Sequence, residues 1–179
     1  NIQAGFNSCF VVRYLLEKAN STESALFLLM KLPIASNCNI LIADKSGEML
    51  VVECTPYEKR IREAVSIDDA KIVCTVNSFT FDEMNQHDAA KGNDYHSAKR
   101  YRTVMENFST HIKGNLIEAT QQLLRGNFGF MCQYDEPDFE TVWSSIFDLK
   151  KLMIYRAEGD PRKKKFIVDS RLHNIVQKK

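Results

Sequence analysis

No run of the sequence approaches the roughly 18 apolar residues that a membrane-crossing helix needs, so no membrane partner is expected. Nor is there an excess of charge. Lys plus Arg is 24 and Asp plus Glu is 23, a formal net charge of +1. Without a basic field, nothing draws the chain toward nucleic acid or an anionic surface. The five cysteines (Cys9, Cys38, Cys54, Cys74 and Cys132) are scattered, odd in number and without a CxxC. A zinc site wants paired ligand spacing, and none is present. Reduced thiols in a cytoplasmic protein are the expectation. Walker and GxGxxG loops are absent, as is a GxSxG elbow, so neither a phosphate cradle nor a serine-hydrolase signature is supported. There are no repeats, no low-complexity segments and no linker that would split the chain. No leader is visible, but the first residue is Asn1, which leaves a leader open.

What is present is an ordinary globular composition. Hydrophobic residues make up 44% and charged residues 26% of 179, enough for one domain with its own core. Residues 8 to 19 carry Phe10, Val11, Tyr14, Leu15 and Ala19 at helical spacing. Residues 22 to 31 form a second helix, opened by the capping chemistry of Ser21 to Ser24 and stopped by Pro33. Strands are expected over 39 to 44 and 49 to 54, paired across a turn in which Gly47 supplies positive φ. Further strands are expected at 58 to 64 and 71 to 76, the latter β-branched and apolar. The polar stretch 80 to 94 reads as a loop. Helices follow at 95 to 110 and 115 to 125. After a loop at 126 to 138, strands are expected at 140 to 147, 150 to 157 and 164 to 169. Helix pairs must cover sheet faces, so a layered α+β sandwich is the economical arrangement.

Candidate chemistry sits in two places. Asn77 follows the apolar run 71 to 76, and an amide at a strand end is a neutral donor suited to an oxyanion. An asparagine there also serves as an ordinary turn residue. Arg100 lies one turn into a helix that opens near Ser97, where it can orient a carboxylate or thiolate, or stand on a solvated face. The histidines His87, His96, His111 and His173 fall in polar stretches and read as solvent-facing. A metal site from His87, Asp88 and His96 has no supporting pattern, so the expected metal content is none. The run Arg162 to Lys165 reads as solvated surface.

Four motifs in order carry a family resemblance. The first comprises Glu23, Ala25, Leu28, Leu29, Pro33, Asn39, Ala43, Asp44, Gly47, Glu53 and Pro56. The second is Val76-Asn77-Ser78-Phe79, and the third is Ser97, Arg100 and Tyr101. The last runs from Thr141-Val142-Trp143-Ser144 to Leu149, then Tyr155, Gly159, Pro161 and Phe166. Collinear from about residue 8 to 168, they resemble the choloylglycine hydrolases and the acyl-CoA:6-aminopenicillanate acyltransferases, and the acyltransferase branch more closely. Both are cysteine-type N-terminal-nucleophile (Ntn) hydrolases.

The resemblance implies part of a four-layer αββα sandwich with antiparallel sheets, here as a single domain over residues 1 to 179. It implies cleavage or transfer of the acyl group of a linear or cyclic amide through a cysteine thioester, with no cofactor. By motif match, Asn77 would be the oxyanion donor and Arg100 would hold the thiolate. Phe79 and Ser144 would touch a small-molecule amide or acyl donor, and Glu53 would be structural. Ser78 stands where many relatives have histidine. The family's nucleophile is a cysteine whose own α-amino group is the base, and neither Asn1 nor Cys9 fits that role. The expectation is therefore a C-terminal portion whose nucleophile lies on a preceding segment, and a chain that without that segment associates with itself through an uncovered sheet face. The alternative is an inactive relative that acts as a binding or scaffold protein.

Overall fold

A computed structural model of the protein describes residues 3–67, 70–87, 95–111, 114–133 and 140–171. The chain packs as two compact units, Asn1–Tyr101 and Arg102–Lys179.

The first unit begins with helix α1 (Ser8–Lys18), whose N-cap Asn7 accepts from the Phe10 amide. Helix α2 (Thr22–Lys31) opens with a reciprocal Ser21–Ser24 capping box and ends at Leu32, just before Pro33. An antiparallel meander follows: β1 (Cys38–Ala43), β2 (Met49–Cys54) and β3 (Lys59–Glu63). Register assigns the two faces. Cys38, Ile40 and Ile42 of β1 lie opposite Cys54, Val52 and Leu50 of β2. This face packs against α1 and α2, forming one core with Val11, Leu15, Leu29 and Ile34. The other face carries Asn39, Glu53 and Arg60 in one row and Leu41, Val51 and Arg62 in the next. Both faces of β2 are covered, since Val51, Val52, Glu53 and Cys54 are all buried.

Asp44 ties the hairpin to the helices. One carboxylate oxygen accepts from the Ser46 amide at 2.8 Å, closing the β1–β2 turn. The other accepts from the Thr22 amide at 2.7 Å, at the electropositive start of α2. These donors, with the Ser46 hydroxyl foremost, hold the carboxyl well below the usual carboxylate range. Gly47 takes φ +93°, as the turn requires.

A short hairpin, β4 (Val65–Ile67) with β5 (Ala70–Ile72), and a one-turn helix α3 (Asp82–Asn85) precede α4 (Ser97–His111). The strand expected over 71 to 76 is thus shorter than its apolar run. Residues 73–76 are irregular, and side chains rather than a neighbouring strand take the carbonyls of Cys74 and Val76. The expected strand at 58 to 64 ends at Glu63, and β4 follows as a separate element. Inside the loop expected at 80 to 94 stands α3, while residues 88–94 lie outside the described ones.

In the second unit, α5 (Leu116–Leu124) is capped by Asn115, buries Ala119 and Leu123, and packs against β6. It ends beside Gly126, whose φ is +79°. Strands β6 (Trp143–Asp148), β7 (Met153–Glu158) and β8 (Ile167–Val168) form a second antiparallel meander. The class is therefore α+β with antiparallel sheets. All five cysteines are free. No helix among the described residues is long and apolar enough to cross a membrane.

Candidate functional site

The polar face of the first meander builds the site. Segment 74–81 lies along it, held by side chains rather than by a strand ladder. Arg62 donates through Nη2 to the Cys74 carbonyl at 2.8 Å. Asn39 donates through Nδ2 to the carbonyls of Val76 and Ser78, both at 2.9 Å. Glu53, fully buried, accepts the Thr80 amide at 2.8 Å and the Phe81 amide at 3.2 Å. The Arg62 guanidinium lies 3.6 Å from the same carboxylate. A buried carboxylate is costly unless charge and hydrogen bonds compensate it, and Glu53 has both.

Asn77 stands in the middle of this segment. The N-terminal end of α4 approaches it, and two consecutive residues before the helix, Tyr95 and His96, take positive φ (48° and 55°). Such a corner is uncommon without glycine. It turns the Tyr95 carbonyl toward Arg100, whose Nε donates to it at 3.1 Å. Nη2 of Arg100 then donates to Asn77 Oδ1 at 2.7 Å and reaches the buried Ser97 hydroxyl at 3.4 Å. The guanidinium has no acceptor, so the Asn77 branch facing it must be the oxygen. Nδ2 is then the free donor branch of an exposed side chain that lines the cleft, and it has no hydrogen-bond partner among the described residues.

The cleft measures about 370 Å³ and is lined by Asn37, Cys38, Asn39, Thr75, Val76, Asn77, Phe79 and Arg100. Its lining is mostly polar, with buried Phe79 as the apolar wall. Cys38 has its thiol pKa lowered, chiefly by a hydrogen bond from Cys54 and less by the Lys59 charge, against the effect of burial. The Cys54 thiol is pushed up, first by that same bond and then by burial. Burial also raises Cys74.

Three of the four residues singled out from the sequence therefore meet. Asn77, Phe79 and Arg100 line one cleft. Ser144 belongs to the second unit, half-buried on β6 opposite Ala157. Asn77 does not cap a strand directly, since four residues separate it from the end of β5. Sequence reasoning missed Asn39 as a site residue. The signal was available, because Asn39 and Glu53 are the polar members of two apolar strands and the hairpin register sets them opposite one another. Among the described residues no group of three His, Cys, Asp or Glu side chains could hold a metal ion, and Asp88 lies outside them. His87 instead faces Glu58 at 3.5 Å.

Comparison with known families gives one result that bears on this geometry. The sequence model described as acyl-coenzyme A:6-aminopenicillanic acid acyl-transferase matches residues 1–163, most of the chain. No curated protein matches it.

Proposed function

The chain belongs to the acyl-coenzyme A:6-aminopenicillanic acid acyltransferase family, and on that premise we propose that it forms the oxyanion side of a cysteine-dependent amide hydrolase or acyltransferase. The observation that carries this reading is the 2.7 Å bond from Arg100 to Asn77 Oδ1, which leaves Nδ2 as the free donor of a residue lining the cleft. The proposed nucleophile is a cysteine thiolate outside residues 1–179, and the first meander is proposed as part of a four-layer αββα sandwich. The substrate is a small-molecule amide or acyl donor.

The thiolate attacks the carbonyl carbon of the substrate, forming a C–S bond, and the carbonyl π pair moves to oxygen. Asn77 Nδ2 donates to that oxyanion. Collapse breaks the C–N bond, and the amine leaves with the proton that the nucleophile's own α-amino group took from the thiol. Water or a second amine then attacks the thioester carbonyl, the C–S bond breaks, and the acid or the new amide is released as the thiol takes back a proton from the attacking group through the same base. Arg100 does two things in this scheme. It fixes which end of the Asn77 amide faces the substrate, and its charge favours an ionised sulfur nearby. A fixed neutral donor of this kind contributes about 3 kcal/mol to transition-state stabilisation. Phe79 supplies an apolar wall for the acyl chain. Ser144 stays in the proposal as a substrate contact on the strength of its motif match.

The test uses the full-length protein with N-acyl p-nitroanilides and acyl-coenzyme A thioesters of graded chain length. Asn77→Ala is expected to lower kcat by about 10²–10³-fold while the unfolding midpoint stays put. Unchanged turnover removes Asn77 from the mechanism. Intact mass identifies the first residue of the mature protein. A wild type without turnover and without an N-terminal cysteine, serine or threonine favours a binding role instead.

A further inference from the structure

We propose that Asn39 and Glu53 are positioning residues, which act as a two-part clamp setting where Asn77 stands in the cleft. This rests on the oxyanion role proposed for Asn77, but it stands on separate contacts. Asn39 and Glu53 are register partners in adjacent antiparallel strands. Their side chains leave the same face of the sheet, with Cβ atoms about 5 Å apart. That row faces a single irregular segment.

The two side chains divide the backbone of that segment by chemistry. The Asn39 amide nitrogen is a double donor, and it takes the two carbonyls that flank Asn77, those of Val76 and Ser78. The Glu53 carboxylate is a double acceptor, and it takes two amides further along, those of Thr80 and Phe81. The two are not interchangeable, because an ionised carboxylate at position 39 could not donate to the carbonyls, and an asparagine at position 53 would offer one acceptor oxygen in place of two. Asn77 is thus fixed at both ends. Its backbone is gripped from the sheet on either side, and its side-chain oxygen is gripped by Arg100.

The cost of the arrangement shows that it is specific. Asn39 Oδ1 is buried without a hydrogen-bond partner among the described residues, and Glu53 is fully buried. A stretch whose only task was to cover the sheet would avoid both penalties with apolar side chains at positions 39 and 53. What these polar groups supply instead is placement. An oxyanion donor must be held to about 0.5 Å to act in the transition state. Loosening the clamp should therefore appear in kcat while leaving KM unchanged.

The experiment combines hydrogen exchange with kinetics on the full-length protein. In the wild type, the Thr80 and Phe81 amides should exchange as slowly as the β1–β2 ladder amides. Fast exchange at both overturns the clamp without any variant. In Glu53→Gln, exchange at Thr80 and Phe81 should speed up at least 10-fold while the β1–β2 ladder keeps its protection. Asn39→Ala should lower kcat on the p-nitroanilide at least 10-fold with KM unchanged and the ladder intact. If Asn77→Ala abolishes turnover and Asn39→Ala leaves kcat at the wild-type value, the clamp is wrong and the oxyanion role stands. If Asn77→Ala leaves turnover intact, the oxyanion role is wrong, and local exchange at Thr80 and Phe81 alone decides whether the clamp exists. Should Asn39→Ala fail to fold, Asn39→Ser replaces it, with the same kcat loss expected and an unchanged kcat counting against the clamp.

Discussion

The two meanders, β1–β2–β3 and β6–β7–β8, share a topology and differ in how their second face is finished. In the first, the face away from the helices receives segment 74–81, and the whole C-terminal half of β2 is buried. In the second, Trp143, Ser145 and Phe147 lie opposite Glu158, Arg156 and Ile154, and Trp143, Phe147 and Ile167 remain exposed. The Arg156 guanidinium covers part of the Trp143 ring at 4.9 Å, and its charge is met by Glu158. One sheet is covered on its second face by its own chain, through polar groups. The other buries Ile146 and Ala157 on one side and leaves aromatics in the open on the other. A polar clamp of the first kind is therefore a local investment that the same topology does not require.

The largest expected effect separates the two sheets by stability. Ile40 is 5% exposed in the first core and Phe147 is 61% exposed on the second sheet. Ile40→Ala should lower unfolding stability by about 2–5 kcal/mol. Phe147→Ala, although it deletes more atoms, should stay within about 0.5 kcal/mol. Denaturant midpoints for the two variants measure both. Equal losses would mean that the second sheet is covered in solution and that the contrast between the meanders is false.

Much of this was legible in the sequence, for reasons that differ between elements. The hairpin β1–β2 announces itself because two β-branched runs flank Asp44 to Gly47, and a turn of that composition fixes its own register. Helix α2 is equally plain, with Ser21 and Ser24 at its start and Pro33 just past its end. Asn77, Phe79 and Arg100 each sit in a short motif that singles them out, although only the fold shows Arg100 bonded to Asn77 across 23 positions. Other features depend on partners distant in sequence. The strand at 71 to 76 stops early, and Arg62 and Asn39 take the carbonyls of Cys74 and Val76. Gly5 carried no local signal either. A Cβ there would come within 2.8 Å of the Ile34 backbone, which runs alongside in a parallel bridge to Phe6. No pattern of apolar spacing reports a contact of that kind.

A smaller effect tests how the first meander is fastened to its helices. The Asp44 carboxyl titrates lower in the folded protein than its ordinary value of about 3.9, because the Ser46 hydroxyl and the Thr22 and Ser46 amides all donate to it. A carboxylate with a depressed folded pKa adds stability that is fully present above about pH 4. That stability is lost as pH falls through the folded value. Asp44→Asn should therefore be less stable than wild type at neutral pH, and the gap should close on acidification below pH 4. Unfolding midpoints from pH 7 to pH 2 give the curve. A gap that stays constant, or widens in acid, would show that the carboxylate charge does not fasten the turn to α2.

The smallest effect isolates backbone conformation from packing in the same turn. Gly47 has φ +93°, and a Cβ added to it would meet nothing within 4 Å. Gly47→Ala therefore carries no steric cost from neighbours, and only the left-handed backbone resists it. That strain is about 1 kcal/mol. Gly129 in the second unit also has positive φ, +142°, but its Cβ would come 2.7 Å from the Thr103 hydroxyl. Gly129→Ala adds a collision to the strain, so its loss should exceed that of Gly47→Ala. Thr103→Ser combined with Gly129→Ala should recover part of the difference, since it removes the Thr103 methyl that the new Cβ would meet at 3.1 Å. Equal midpoints for the two single variants would mean that Thr103 turns aside freely and that backbone conformation alone sets the cost at both glycines.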